Sequence, residues 1–267
     1  MYLVAGSRHM LLDALPRGGV GAEVGVLTGA FSREILRRAE PSELHLVDNW
    51  EMIWPDWRNP PAPWTTADAL NFDKYLTQEM PLYPGGDPNL GLELCYAMVE
   101  GLGREDNRVR IHRGLSVEMA KQIPDQSLDF AYIDADHTYE ACLDDLRAFE
   151  PKIKEGGLLM GHDFYEMHAS DTPAFGVIGA VEAFCKRRGW TMLALTWEQH
   201  ATFVLCKSWS EYVAGFVSRL MATEVPIIEL PGTVAFNYHT KLLDTAGGRR
   251  RLPSFLGNGE IDPWPGT

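Results

Sequence analysis

Short apolar runs alternate with amphipathic segments over most of the chain. Seven runs have the length and composition of buried strands, and they lie at residues 20–24, 44–48, 109–112, 128–133, 158–161, 190–195 and 201–206. The segments between them have helical periodicity, most clearly in the stripe formed by Tyr139, Cys142, Leu143, Leu146, Phe149 and Ile153. Only a short turn separates the last two runs, which indicates a hairpin.

This order predicts an α/β fold, a doubly wound Rossmann-like sheet of seven strands that is mostly parallel with one antiparallel strand. Ser32 is expected to cap the helix after the first strand, and Gly156-Gly157 are expected to end the helix that starts near Tyr139. Residues 1–208 form the predicted main domain, and residues 209–267 form a C-terminal helix and tail.

The pattern changes between residues 50 and 88, where four tryptophans lie among seven prolines. A loop of this length inside a compact domain is uncommon, and it is usually a lid or a binding segment. Two interpretations stay open for residues 50–88. The insertion is either a lid over a substrate or a surface segment that packs its own tryptophans or contacts another subunit.

The charge of the chain limits the kinds of partner. With 24 basic and 37 acidic side chains the net charge is −13, which disfavours nucleic acid and anionic membranes. The four cysteines have no closely spaced pair, so neither a zinc site nor a disulfide framework is expected, and a reducing cytoplasm fits best. No signal peptide or membrane span is evident, and the expected location is cytoplasmic.

A glycine turn follows the first of the seven runs. Its pattern, Glu23-x-Gly25-x-x-x-Gly29, differs from the Gly-x-Gly-x-x-Gly of dinucleotide folds. The Glu23 carboxylate would repel a pyrophosphate, whereas it suits a ligand that carries an ammonium group. By itself, however, the turn also fits a strand–helix connection that binds nothing.

Polar residues follow the other predicted strands. Asp48 lies 23 positions after Gly25, where an α/β fold of this kind holds a ribose through its hydroxyls. The alternative is a strand-end aspartate that caps the next turn. Because ligands bind beyond the carboxyl ends of such strands, one site is expected to collect the polar residues found there: Glu23, Asp48, Ser116, Asp134, Asp136, His137, His162 and Asp163.

Together these motifs resemble the class I S-adenosylmethionine-dependent methyltransferases over roughly residues 18–207. The similarity is greatest to the small-molecule O-methyltransferase branch that includes the catechol and macrocin enzymes. It implies methyl transfer from S-adenosylmethionine to a small molecule, at a hydroxyl oxygen. The residues that it implies for cofactor binding are Glu23, Gly25, Gly29, Asp48, Asn49, Trp50, Ser116 and Asp134.

The resemblance also implies a base. His137 stands where the catechol-type enzymes have a lysine, and an imidazole with a pKa of about 6.5 suits a general base. Asp136 or Asp163 would orient it. The alternative is a histidine that only forms a hydrogen bond to a neighbouring carboxylate.

The resemblance also implies a metal site. Asp134 and Asp163 could share Mg²⁺, with His162 or Asp136 as the third ligand. The catechol pattern has an asparagine after its second acid, whereas Phe164 follows Asp163 here, so this chain departs from that pattern. Two rivals stay open beside the enzyme, a nicotinamide-dependent oxidoreductase and a silent methyltransferase-like binding module. A homo-oligomer is also considered.

Overall fold

The computed structural model describes residues 1–51, 88–165, 176–198, 200–245 and 248–255. Most of the predicted insertion at residues 50–88 and the end of the tail, residues 256–267, lie outside the described residues. The two interpretations of residues 50–88 therefore stay predictions.

The described residues contain eleven strands and seven α-helices. The strands are β1 (Tyr2–Val4), β2 (Val20–Val24), β3 (Glu43–Asp48), β4 (Val109–Arg113), β5 (Leu128–Ile133), β6 (Ile153–Phe164), β7 (Thr191–Thr196), β8 (Ala201–Cys206), β9 (Ile227–Glu229), β10 (His239–Thr245) and β11 (Gly248–Ser254). The helices are α1 (Arg8–Ala14), α2 (Ala30–Arg38), α3 (Pro88–Glu105), α4 (Ser116–Met119), α5 (Tyr139–Phe149), α6 (Val177–Arg188) and α7 (Glu211–Met221).

Nine of these strands form one sheet in the order β4-β3-β2-β5-β6-β8-β7-β1-β9. Strand β8 runs antiparallel to both of its neighbours, β9 runs antiparallel to β1, and the remaining pairs are parallel. The predicted α/β class is confirmed, and all seven predicted strands belong to this sheet. The predicted number was too low because β1 and β9, of three residues each, are too short to show a periodicity.

The sheet separates two hydrophobic clusters. Along β5, Phe130 and Tyr132 belong to one cluster, whereas Ala131 and Ile133 belong to the other, as the alternation of side chains along a strand requires. Helices α1, α2, α3 and α7 contribute to the first cluster, and α5 and α6 contribute to the second. Burial on both faces explains why the central strands read as nearly unbroken apolar runs.

Two predictions about helix ends were wrong. Helix α2 begins after Gly29, whose φ of 74° is left-handed, so Ser32 lies inside the first turn and does not cap it. Helix α5 ends at Phe149, and Ile153 begins β6.

Gly156 and Gly157 lie inside β6, where the pairing with β5 shifts from Leu128–Ile153 to Phe130–Leu158. A Cβ atom on Gly157 would lie 2.7 Å from the carbonyl oxygen of Asp129, so this bulge needs glycine. The apolar stripe that predicted one long helix therefore continues past the end of α5 into β6. The two glycines after it form a bulge in β6 and do not end a helix.

Part of the C-terminal extension packs on the main sheet. The Ser210 hydroxyl accepts a hydrogen bond from the Val213 amide at 3.1 Å, which caps α7, and it donates to the Gly156 carbonyl at 2.7 Å. Strand β9 continues the sheet beyond β1. The domain boundary at residue 208 stays a prediction. No helix in the described parts of the chain is long and apolar enough for a membrane span.

Candidate active site

The glycine turn between β2 and α2 lies against the end of β5. Gly25 has a φ of +88°, and its amide donates to the Val47 carbonyl at 2.9 Å. A Cβ atom there would lie 2.1 Å from the carbonyl oxygen of Asp134. Glycine is therefore required at position 25 both by the backbone angle and by the close approach of two main chains.

Asp48 organises this turn. Its Oδ2 accepts hydrogen bonds from the amides of Val26 and Leu27 at 2.8 and 2.9 Å, and its Oδ1 accepts one from Trp50 at 2.9 Å. A carboxylate can accept about four hydrogen bonds. Its predicted contact with a ribose stays a prediction, and the remaining capacity is on Oδ1.

Asn49 and Trp50, the two residues after Asp48, lie in different surroundings. Asn49 accepts a hydrogen bond from the Glu51 amide at 3.3 Å. Trp50 is fully buried, and its indole N–H donates to the Leu27 carbonyl at 2.8 Å. Trp50 thus supports the glycine turn from the protein interior, a role that the sequence pattern did not indicate.

Glu23 is 1% exposed at the end of β2, below the turn. Burial raises its pKa to about 8, although the hydroxyl of Ser32 donates a hydrogen bond to it. The nearby Asp134 raises the pKa further, and Arg8 lowers it. If a bound cation displaced the proton of Glu23, the side chain would become a charged carboxylate.

Ser116 begins α4 beyond β4, and its hydroxyl donates to the buried carboxylate of Asp145 on α5. Burial raises the pKa of Asp145 to about 7. Sequence reasoning missed Asp145 because it lies within a helix. The predicted contact of Ser116 with an adenine ring stays a prediction.

Two carboxylates meet where the neighbouring strands β5 and β6 end. Asp134 directly follows β5, and Asp163 is the last residue but one of β6, with a φ of +49°. The His137 Nε2 lies 2.9 Å from Asp163 Oδ2 and 3.6 Å from Asp134 Oδ1. The structure thus brings together the candidate base and both candidate metal-binding acids.

His162 completes the predicted metal-binding set. Its Nδ1 lies 3.4 Å from Asp163 Oδ2 and 3.6 Å from Asp134 Oδ1. One ligand atom from each of Asp134, His162 and Asp163 lies within 4.8 Å of the others. Two oxygens and one imidazole nitrogen at this spacing fit the donor set of a divalent cation.

Two further residues contact these carboxylates, and sequence reasoning missed both. His200 Nδ1 lies 2.5 Å from Asp163 Oδ1, and Arg8 Nη1 lies 3.0 Å from Asp134 Oδ2. The predicted hairpin contained a signal for His200. It directly precedes β8, and because β8 runs antiparallel beside β6, the start of β8 lies at the end of β6. No pattern pointed to Arg8.

Asp136 does not make the contact with His137 that was considered for it. Its Oδ1 accepts a hydrogen bond from the Thr138 amide at 2.8 Å, a local turn contact that precedes α5. Asp163 is the carboxylate placed against His137. A direct catalytic role for Asp136 stays a prediction.

The charges of the cluster are mutually stabilising. Burial alone would lower the pKa of His137, but its contacts with Asp134 and Asp163 raise it to about 10. The same balance raises the pKa of His162 to about 9. Burial opposes ionisation of Asp163, yet the three histidines hold its pKa far below the usual range. The same contacts thus raise the pKa values of two imidazoles and lower that of Asp163.

The comparison with known protein families agrees with this architecture. Residues 22–164, more than half of the chain, match a protein family described as a methyltransferase domain. No curated protein matches the chain significantly in sequence.

Several solved structures show some likeness. A SAM-dependent methyltransferase from Aquifex aeolicus has 13% identity and a TM-score of 0.45, covering 74% of this chain and 91% of its own. A putative caffeoyl-CoA O-methyltransferase from Staphylococcus aureus has 13% identity and a TM-score of 0.45, with coverages of 74% and 78%. A tRNA methyltransferase from B. subtilis has 12% identity and a TM-score of 0.43, with coverages of 77% and 68%.

Likeness at this level says nothing about the acceptor. The family match covers β2 to β6 and thus contains the glycine turn, Asp48 and the two acidic strand ends. The chain therefore belongs to the methyltransferase domain family, and its fold is the Rossmann-like α/β sheet described above.

Proposed function

We propose that the protein transfers a methyl group from S-adenosylmethionine to a hydroxyl oxygen of a small molecule. The observation that supports this best is the position of His137, an ionisable base beside two carboxylates at the edge of the sheet that carries the glycine turn. When bound, the cofactor supplies an electrophilic methyl group on a sulfonium. The chain must then align an acceptor and remove its proton.

The glycine turn and its acidic neighbours would hold the cofactor. Glu23 and Asp134 suit its cationic end, and Asp48 suits a ribose. Gly25 and Gly29 give the turn its backbone shape, since both have positive φ. Asn49 and Ser116 would border the nucleoside, and the buried Trp50 would support the glycine turn from the interior.

His137 would accept the proton of the acceptor hydroxyl, and Asp163 would orient its ring and stabilise the imidazolium. His137 is protonated in the cluster as it stands, because two carboxylates raise its pKa to about 10. Positive charge bound beside Asp134 and Asp163 would lower that pKa and release the base for catalysis. Cation binding and proton abstraction are therefore linked in this proposal.

Asp134, His162 and Asp163 would hold a divalent cation. When bound, the cation would lower the pKa of the acceptor hydroxyl and orient it. We expected Mg²⁺ from the sequence. An imidazole ligand suits first-row transition ions such as Mn²⁺ at least as well, so both ions belong in the tests.

The proposed acceptor class rests on charge. A chain with net charge −13 is poorly suited to bind a polyanion such as tRNA, because nucleic-acid binding depends on clustered basic side chains. A small molecule carrying a hydroxyl is the acceptor that fits both this charge and a histidine base.

The test measures formation of S-adenosylhomocysteine with S-adenosylmethionine and a panel of phenols, catechols and sugar alcohols, in the presence of Mn²⁺ or Mg²⁺. We expect turnover with at least one hydroxyl compound and none when that hydroxyl is blocked as its methyl ether. Turnover on transfer RNA alone would contradict the acceptor class. Cofactor binding without turnover on any substrate would favour a silent binding module.

A further inference from the structure

Arg8 occupies a position that neither the family match nor the glycine-turn motif covers. It is the first residue of α1, and its Nη1 donates to Asp134 Oδ2 at 3.0 Å. Its guanidinium carbon lies 4.1 Å from the centre of the Phe31 ring, in the first turn of α2. Arg8 therefore connects the end of β5 with the start of α2, the two elements that flank the glycine turn.

We propose that Arg8 binds the carboxylate of the amino-acid end of S-adenosylmethionine. This inference rests on the proposed function, since it assigns a residue to one end of that cofactor. Arg8 is then a cofactor-binding residue and takes no part in removing the proton.

The acidic character of the site supports the assignment. Asp134 suits an ammonium or a sulfonium and Asp48 suits a ribose, yet both carboxylates would repel the carboxylate that the same ligand carries. A zwitterionic end needs one cation among these acids. A guanidinium provides that charge in a planar, two-pronged geometry that matches a carboxylate.

The two oxygens of Asp134 separate two regions of the site. Oδ1 faces His137 and His162, where the proposed cation and acceptor belong. Oδ2 faces Arg8. The guanidinium thus lies on the side of Asp134 opposite to the proposed reaction centre, as expected for a group that binds the far end of the cofactor.

Arg8 is held in place by contacts within the chain itself. Its amide donates to Glu198 Oε1 at 2.9 Å, and Glu198 in turn accepts a hydrogen bond from the Thr196 hydroxyl at 2.8 Å. The stacking on Phe31 restricts the guanidinium itself. The Arg8 side chain keeps 28% exposure, so one side of it stays open to a ligand.

The test compares two ligands by calorimetry in a chelating buffer. One is S-adenosylhomocysteine, and the other is S-adenosyl-3-thiopropylamine, the same molecule without its carboxylate. The variants are Arg8→Gln and the charge-preserving Arg8→Lys. Arg33→Gln is the matched control, because Arg33 on α2 pairs with Glu105 at the surface and is 52% exposed.

We expect Arg8→Gln to weaken S-adenosylhomocysteine binding by about tenfold to a hundredfold, the usual range for a charge-assisted contact. Binding of the thiopropylamine should change by less than about threefold, since that ligand makes no such contact. Arg8→Lys should recover part of the loss, and Arg33→Gln should bind both ligands as the wild type does.

Equal losses for both ligands would overturn the inference, because Arg8 would then act only by positioning Asp134. Unchanged binding of both would overturn it as well. If Arg8→Gln does not fold, Arg8→Lys gives the same comparison with a smaller expected difference between the ligands. Failure of the wild type to bind S-adenosylhomocysteine would instead refute the proposed function, and the Arg8 inference with it.

Discussion

The Nε2 atom of His137 lies 2.9 Å from Oδ2 of Asp163, although His137 follows β5 and Asp163 belongs to β6. His200 approaches the other oxygen of the same carboxylate. Asp163 is therefore held between two imidazoles. The contact joins a candidate base, His137, to a candidate metal ligand, Asp163. Substitutions at either position should therefore affect removal of the acceptor's proton.

Replacing His137 by Asn should lower turnover by about a hundredfold or more while cofactor affinity changes little, because general-base catalysis typically contributes at least that much. Turnover is measured as release of S-adenosylhomocysteine with an accepted hydroxyl compound, and affinity by calorimetry. His239→Asn is the control, since the His239 ring contacts the Asn237 carbonyl and forms no ion pair with Asp134 or Asp163 within the described residues. Full turnover in His137→Asn would refute the base assignment.

Gly25→Ala should destabilise the fold and abolish cofactor binding. The new Cβ would meet the Asp134 carbonyl at 2.1 Å while the residue is held at positive φ, and we expect a cost of about 2–4 kcal/mol in the free energy of unfolding. Urea denaturation measures the loss.

Gly18→Ala separates the two contributions. Gly18 also has a positive φ, +78°, but no atom of the described residues lies within 4 Å of its Cβ position, so only backbone strain of about 1 kcal/mol is expected. Similar losses in the two variants would show that the close approach to Asp134 has no energetic consequence.

A divalent cation should bind the cluster with one ion per chain. Titration with Mn²⁺, followed by the loss of its free electron paramagnetic resonance signal, should saturate in the wild type. Asp163→Asn should lose this binding, since it removes one of two carboxylate ligands. Asp144→Asn, on the exposed face of α5, is the control. Mn²⁺ binding that persists in Asp163→Asn, or full turnover in a chelator, would remove these residues from a metal-binding role.

Glu23 should make stability pH-dependent. Its folded pKa of about 8 lies above the usual 4.5, so the unfolded chain loses this proton first and the wild type loses stability as pH rises between these values. Glu23→Gln removes this titration. Its free energy of unfolding, relative to the wild type, should rise from pH 5 to pH 8 and then level off.

Glu140→Gln provides the baseline, because Glu140 is exposed. A difference between Glu23→Gln and the wild type that does not vary over this pH range would show that Glu23 titrates normally in the folded protein.

The sequence predicted those features that chain order alone determines. Parallel strands place their carboxyl ends at one edge, so the order of strands and polar residues was enough to assign Asp134, His162 and Asp163 to one site. The glycine turn was equally predictable, because Gly25 follows a strand and the family match includes it.

Features that depend on packing between distant elements escaped prediction. Arg8 and His200 reach the site from segments without a motif, and the edge strands β1 and β9 are too short to leave a pattern. Serine often caps helices, so the sequence predicts Ser32 as the cap of α2. In the structure Ser32 lies inside the first turn of α2, where its hydroxyl donates a hydrogen bond to Glu23.

The most direct test of the account is a calorimetric titration of the wild-type protein with S-adenosylmethionine and, separately, with NAD. We predict one S-adenosylmethionine site per chain, sensitive to Gly25→Ala, and no binding of NAD. Binding of NAD without binding of S-adenosylmethionine would contradict the account.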